Sequence, residues 1–172
     1  DGPHKSLLQE YVAQQHIDRV KFEGFQVEAP IRYYKDASIF MLTSDLEGFG
    51  LVIIESMSFG CVPIVYGSYE AVYDIIEHEK SGFITPMPYS KNKTMEYMEQ
   101  LIEHENLRND MAKNAMTRSK LFSIDSIAKK WYDLFDEVLK HHHQKYKYCF
   151  HQQLLIHSFQ QVQYKQARLH KE

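Results

Sequence analysis

Short apolar runs alternate with stretches of helical spacing along the first half of the chain. The runs SIFMLTS, VPIVYG and GFITP are apolar over the length of a strand, and RVKFEGF alternates as a short strand that ends at Gly24. Apolar positions three and four residues apart predict helices over HKSLLQEYVAQQH, APIRYYKDA, LVIIESMSFG and EAVYDII. Strands that alternate with helices predict a doubly wound, Rossmann-like α/β fold, whose parallel sheet is covered on both faces.

Three longer helical patterns follow Pro88 without further strands. They cover SKNKTMEYMEQLIEHE, NLRNDMAKNAMTRSKLF and SIDSIAKKWYDLFDEVLK, and the last of them begins at Ser123. The apolar face of this last helix predicts packing into the core, and it comprises Trp131, Tyr132, Leu134, Phe135 and Val138. We therefore predict one sheet domain over residues 1–140, closed by C-terminal helices.

Residues 141–172 form a stretch of different composition, rich in His, Gln, Tyr and Lys, which we interpret as a separate helical tail. Its basic residues can contact anionic lipid headgroups, although a solvated or oligomer-forming helix is an equal alternative; they are Lys145, Lys147, Lys165, Arg168 and Lys171. The histidine run at 141–143 does not predict a metal site, because adjacent helical residues point about 100° apart.

The composition is that of a folded globular protein. A hydrophobic fraction of 44% supports a core, and a formal net charge of −3 gives no sign of a wholly nucleic-acid-binding chain. Cys61 and Cys149 match no zinc or redox spacing and are interpreted as buried or unreactive thiols. No apolar run reaches the roughly 18–20 residues that cross a bilayer, and the opening DGPHKS is not a signal peptide. We expect a soluble, cytoplasmic chain, truncated at its N-terminal edge.

The stretch EGFGLVIIE carries the chemistry that the sequence suggests. The preceding strand ends at Ser44 and the next helix begins near Gly50, so this loop lies at the carboxyl edge of the sheet, where α/β folds bind ligands. Gly48 and Gly50 allow a close approach of the backbone, while the helix start offers unpaired N–H groups and the positive end of its dipole. These features predict a phosphate-binding seat.

Two carboxylates flank this seat, at Glu47 and Glu55. Eight residues at helical rise separate them by roughly 12 Å, and carboxylates accept hydrogen bonds from sugar hydroxyls. A nucleotide-sugar, with a hydroxylated ring at each end of a diphosphate, fits this layout. The alternative is that both are ordinary exposed glutamates and that Glu47 only stabilises the helix N-terminus.

The segment EGFGLVIIESMSFGCVPIV resembles the E-x7-E signature of retaining glycosyltransferases of the GT-B fold, especially glycosyltransferase family four. DGP, VKFEGF, YYKDASIFMLTS and SGFITP follow in the order of that family's C-terminal, donor-binding domain, so the resemblance covers about residues 1–140. It implies that Glu55 accepts hydrogen bonds from the ribose and that Glu47 is the catalytic residue that contacts the transferred sugar. It further implies backbone contacts to the sugar and diphosphate from Gly48, Phe49, Gly50 and Leu51.

The same resemblance implies the ligands of the complete enzyme. The donor is expected to be a UDP-sugar, the acceptor a glycan or lipid-linked sugar, and the reaction to need no metal or other cofactor. Nucleic acid is not an expected partner. The chain is expected to be the donor-binding portion of a glycosyltransferase in polysaccharide or glycolipid assembly. Its tail is expected to be the part that can contact a membrane surface.

Two departures from the family pattern shape these expectations. Glu70 and Ala71 stand where the family commonly has a Gly-Gly pair, so side chains there are expected to crowd or re-orient the sugar pocket. The family's first strand of this domain, with its basic residues, and its acceptor-binding domain would precede Asp1. We therefore expect the chain alone to bind nucleotide weakly and to transfer no sugar.

Two alternatives to an enzyme portion of this kind stay open. A non-catalytic, glycosyltransferase-like module would bind a nucleotide or a partner chain, which the two departures favour and the intact glutamate pair opposes. A GT-B sugar epimerase is a third reading, to which EGFGL is a poorer fit.

Overall fold

The computed structural model describes residues 2–26 and 30–141, the last of these by its backbone only. The chain divides into two compact units, one that ends at Ser119 and one that begins at Lys120. The elements of the first unit are, in chain order, α1 (Lys5–Gln14), α2 (Ile31–Asp36), β1 (Ile39–Leu42), α3 (Leu51–Ser58), β2 (Val62–Tyr66), α4 (Ala71–Ile75), β3 (Phe83–Thr85), α5 (Lys91–Glu103) and α6 (Glu105–Ser119).

The three strands form one parallel sheet in the order β1-β2-β3. Ile39 pairs with Val62 at the start of the first ladder, and Ile64 pairs with Phe83 at the start of the second. Each consecutive pair of strands is joined through a helix, as parallel pairing requires. The predicted α/β Rossmann-like fold is confirmed.

The core of the first unit lies around the central strand β2. Val62 and Ile64 pack in one cluster with Phe83 of β3 and with residues of α5 and α6, namely Tyr97, Leu101 and Met111. Successive residues of a strand point to opposite faces. Because Pro63 and Val65 are also buried, β2 is covered on both faces.

The predicted strand that ends at Gly24 is wrong. Residues 20–26 have no regular secondary structure, and the described sheet contains only β1, β2 and β3. Alternation of apolar and polar residues favours a strand only where a neighbouring strand supplies hydrogen bonds. Here a side-chain contact holds the segment instead, since the Tyr33 hydroxyl of α2 donates to the Glu23 carboxylate at 2.9 Å.

The second unit contains a 3-10 turn at Lys120–Phe122 and the helix α7, Ile124–His141. The predicted start at Ser123 is confirmed, because its hydroxyl accepts a hydrogen bond from the Ser126 N–H at 3.2 Å. The five side chains of the predicted apolar face of α7 are 47–74% exposed, since one helix has no second apolar surface of its own to cover them. Their packing into the core stays a prediction. The predicted tail at 141–172 lies outside the described residues, apart from the backbone of its first residue.

Truncation of Leu101 tests the core cluster. This side chain is fully buried against β2 and β3, so Leu101→Ala should lower the free energy of unfolding by about 2–5 kcal/mol. Its neighbour Ile102 on the same helix is 62% exposed, and Ile102→Ala should change that free energy by no more than about 0.5 kcal/mol. Urea denaturation of both variants measures the difference, and equal effects would contradict the position of the core.

Candidate active site

Three loops meet at the carboxyl edge of the sheet. They follow β1, β2 and β3 and cover residues 43–50, 67–70 and 86–90. The Ser68 hydroxyl donates to the Ser44 carbonyl at 2.9 Å, which ties the second loop to the first. The Gly67 N–H donates to the Thr85 carbonyl at 2.9 Å, which ties it to the end of β3. Parallel strands thus bring segments that are distant in sequence to one side of the fold.

Gly50 begins helix α3 in a left-handed backbone conformation, with φ +87° and ψ +45°. This conformation costs a residue with a Cβ about 1–2 kcal/mol. A Cβ at this position would also lie 2.6 Å from the Tyr69 hydroxyl and 2.9 Å from Cδ1 of Ile53. The backbone conformation therefore favours glycine at position 50, and a Cβ there would also force the Tyr69 and Ile53 side chains to shift.

Gly48 is a different kind of glycine. A Cβ there would meet no atom within 4 Å, and its φ lies outside the left-handed range. The sequence predicted similar roles for the two glycines, but only position 50 has a backbone conformation that favours glycine.

The start of α3 is where the sequence predicts an anion seat. Gly50 has no side chain, so no side-chain cap covers the N-terminus of the helix. The first N–H groups of a helix have no acceptor four residues earlier within it, and the helix dipole places a partial positive charge there. At this helix the Ile53 N–H donates to the Gly50 carbonyl at 3.0 Å, so the N–H groups before Ile53 are the candidates to face an anion. Phe49 and Leu51 lie on either side of Gly50, 41% and 64% exposed. The predicted backbone segment 48–51 therefore lies at this helix terminus.

The two predicted glutamates flank this terminus. Glu47 is half-buried in the loop before Gly50, whereas Glu55 is an exposed residue of α3. The Tyr34 hydroxyl of α2 donates to the Glu55 carboxylate at 3.4 Å, which is a long hydrogen bond. Burial, followed by the negative charge of Glu55, raises the pKa of Tyr34 to about 12. Tyr34 therefore keeps its proton and remains a donor that can orient Glu55.

Tyr69 is a residue of this site that the sequence reasoning did not single out. Its hydroxyl oxygen is buried and has no hydrogen-bond partner within the described residues, and it faces the Gly50 turn. Burial and then the charge of Glu47 raise the pKa of Tyr69, so the hydroxyl is a proton donor at neutral pH. The available signal was its place in the loop after β2, beside the Glu70 departure.

Glu70 and Ala71 form the start of α4. Glu70 is the residue before the first turn and is exposed, while Ala71 is half-buried. Their predicted effect on the sugar pocket stays a prediction.

Cys61 is buried, as predicted. Its Sγ lies 3.2 Å from the Tyr34 carbonyl oxygen and 3.3 Å from that of Ala37, and burial raises the pKa of the thiol. It therefore acts as a small packed side chain near Tyr34. Cys149 lies outside the described residues.

Within residues 2–26 and 30–141, no three His, Cys, Asp or Glu side chains are grouped to hold a metal ion. Likewise, no helix there is both long and apolar enough to cross a membrane.

Comparison with known proteins identifies the family. The profile of the glycosyl transferases group 1 matches residues 1–118. The chain belongs to this family. It is 30% identical over 138 residues to an alpha-1,4-N-acetyl-D-galactosaminyltransferase of Campylobacter jejuni, and 26% identical over 141 residues to the amylovoran biosynthesis glycosyltransferase AmsD of Erwinia amylovora. These matches cover 80% and 79% of the chain, but the chain spans only 38% of the length of each relative.

Solved glycosyltransferase structures share the fold. The crystal structure of HepE from Anabaena with UDP and glucose superposes with a TM-score of 0.64 at 26% identity, over 77% of this chain and 36% of HepE. The C-terminal domain of a group 1 glycosyltransferase, LpcC from Francisella tularensis, superposes with a TM-score of 0.61 at 26% identity. That match covers 70% of this chain and 63% of the LpcC domain. The family member described here therefore has the α/β fold of GT-B glycosyltransferases.

A pair of glycine substitutions tests the geometry of the seat. Gly50→Ala should lower the free energy of unfolding by more than about 1–2 kcal/mol, because steric contacts add to the cost of the left-handed backbone. Gly48→Ala should leave stability unchanged or raise it by up to about 1 kcal/mol, because it restricts only the unfolded chain. Chemical denaturation measures both, and equal destabilisation would show that the turn at Gly50 is not as described.

Proposed function

We propose that this chain is the donor-binding portion of a retaining glycosyltransferase of family four, which moves a sugar from a UDP-sugar to a glycan or lipid-linked acceptor. The observation that carries the proposal is the arrangement around α3. A left-handed glycine opens the helix at the carboxyl edge of the sheet, and Glu47 and Glu55 flank the resulting anion seat.

Each part of the donor has a matching group in this arrangement. The diphosphate binds at the start of α3, where N–H groups and the helix dipole stabilise the negative charge that grows as the sugar leaves. Glu55, oriented by Tyr34, accepts hydrogen bonds from the ribose hydroxyls. Glu47 contacts the transferred sugar.

The proposed chemistry needs no metal, because the helix terminus and positive side chains of the complete enzyme stabilise the leaving diphosphate. In this proposal Glu47 interacts with the sugar and is not required as a nucleophile, and the sugar keeps its anomeric configuration. The E-x7-E spacing of Glu47 and Glu55 supports this assignment.

The related proteins support the choice of ligands. HepE was crystallised with UDP and glucose, which supports a UDP-sugar donor. The Campylobacter jejuni relative carries a PP-undecaprenol saccharide in its name, and AmsD is named for amylovoran biosynthesis. These names support an acceptor in polysaccharide or lipid-linked glycan assembly, which would bring the enzyme into peripheral contact with a membrane.

A non-catalytic, glycosyltransferase-like module is the second candidate. The exposed Glu70 at the start of α4 favours it, since a charged side chain replaces a glycine beside the seat. The flanking pair Glu47 and Glu55 opposes it. A module of this kind would bind a nucleotide or partner chain but catalyse no transfer, even in the full-length protein.

Substitution of Glu55 tests nucleotide binding. Titration calorimetry with UDP, ADP and GDP should show selective UDP binding, and Glu55→Gln should weaken it by about tenfold or more, because a charged acceptor is lost. Glu99→Gln, at an exposed glutamate of α5, is the matched control and should bind like the wild type. Equal affinity of the Glu55→Gln variant would contradict the ribose contact.

Activity of the chain alone provides a second test. We expect no sugar transfer from UDP-sugars by the purified 172-residue chain, because catalysis in a two-domain cleft depends on acceptor positioning and exclusion of water. The full-length protein should transfer sugar under the same conditions. Transfer by the chain alone, measured with a radiolabelled donor, would refute the need for a second domain, and inactivity of the full-length protein would favour the non-catalytic module.

A further inference from the structure

The Tyr69 hydroxyl makes no hydrogen bond within the described residues. It is buried without a hydrogen-bond partner among the described residues, and a buried polar group that lacks a partner costs free energy. A phenylalanine would fill the same space without this cost. The hydroxyl is therefore a group whose use depends on something that binds beside it.

The surroundings of the hydroxyl indicate what binds there. It lies against Gly50, at the start of α3, where the proposed function places the donor diphosphate. The negative charge of Glu47, the residue proposed to contact the transferred sugar, also acts on this hydroxyl.

We propose that Tyr69 is a binding residue of the donor site, and that its hydroxyl donates a hydrogen bond to the sugar-bearing phosphate of the nucleotide-sugar. This inference rests on the proposed function. The hydroxyl gains the hydrogen-bond partner that it lacks. The phosphate gains an uncharged hydrogen-bond donor near the Glu47 carboxylate.

The other side chains of the loop at 67–70 do not serve this purpose. The Ser68 hydroxyl donates to the Ser44 carbonyl, and Glu70 is exposed and negatively charged. Tyr69 is the side chain of this loop that faces the Gly50 turn. Because burial and the Glu47 charge both disfavour the phenolate, the hydroxyl keeps the proton that it donates.

The experiment compares Tyr69→Phe with the wild type in the full-length protein. Titration calorimetry measures binding of UDP and UMP, ADP and AMP, and GDP and GMP, and thermal unfolding without nucleotide measures stability. Tyr73→Phe is the matched control, because it removes a nearby hydroxyl that donates to the Gly67 carbonyl oxygen at 3.4 Å and already has a partner within the chain. Glu55→Gln is titrated in parallel to test the proposed function separately.

The expected result is a loss of binding without a loss of stability. Tyr69→Phe should weaken binding of the preferred nucleoside diphosphate by about tenfold and leave its monophosphate unaffected. Its unfolding temperature should stay the same or rise, whereas Tyr73→Phe should change neither affinity.

Each other result overturns the inference in a distinguishable way. If diphosphate binding depends on Glu55 but is unchanged in Tyr69→Phe, the Tyr69 contact is wrong and the proposed function stands. If the monophosphate weakens equally, the hydroxyl does not recognise the sugar-bearing phosphate. A lower unfolding temperature of Tyr69→Phe would assign the hydroxyl a structural role, and absence of any nucleotide binding by the wild type would overturn both proposals.

Discussion

Parallel pairing of β1, β2 and β3 is the constraint on which the candidate site depends. It sends the carboxyl ends of all three strands to one edge, so that the loops after them meet although they are distant in sequence. The bond from Ser68 to Ser44 joins two of these loops directly. The site is therefore held by side-chain and backbone bonds between loops as well as by the sheet itself, and the core around β2 keeps that sheet covered on both faces.

The candidate site combines groups that are fixed in place with one polar group that lacks a hydrogen-bond partner among the described residues. Gly50 fixes the start of α3 by its conformation, while Tyr34 is a protonated donor to Glu55 from another helix. The Tyr69 hydroxyl, in contrast, is buried without a partner among the described residues. Ligand-binding sites often retain such local costs because the ligand supplies the missing interaction. Stability alone would favour phenylalanine at position 69, whereas the proposed contact with the donor phosphate requires tyrosine.

Local patterns predicted what depends on local physics. The apolar runs of β1, β2 and β3 and the serine that begins α7 were predicted because burial and helix capping leave a direct record in sequence. The segment at 20–26 was predicted wrongly, since alternation does not reveal whether a partner strand exists. The apolar face of α7 was predicted correctly as a face, but a helical pattern does not tell what covers it. The sequence placed Glu47 before the start of α3 and Glu55 within that helix. Tyr69 was missed because its contact with Gly50 exists only after the loops meet.

The contact between Gly50 and Tyr69 also restricts how this corner can evolve. A Cβ at position 50 would lie 2.6 Å from the Tyr69 hydroxyl and 2.9 Å from Cδ1 of Ile53, so the residues tolerated at position 50 depend on those at 69 and 53. Even after position 69 becomes smaller, the left-handed backbone admits few residues, chiefly asparagine or aspartate. Position 50 is therefore restricted twice, by its own backbone and by the packing of Tyr69 and Ile53 around it.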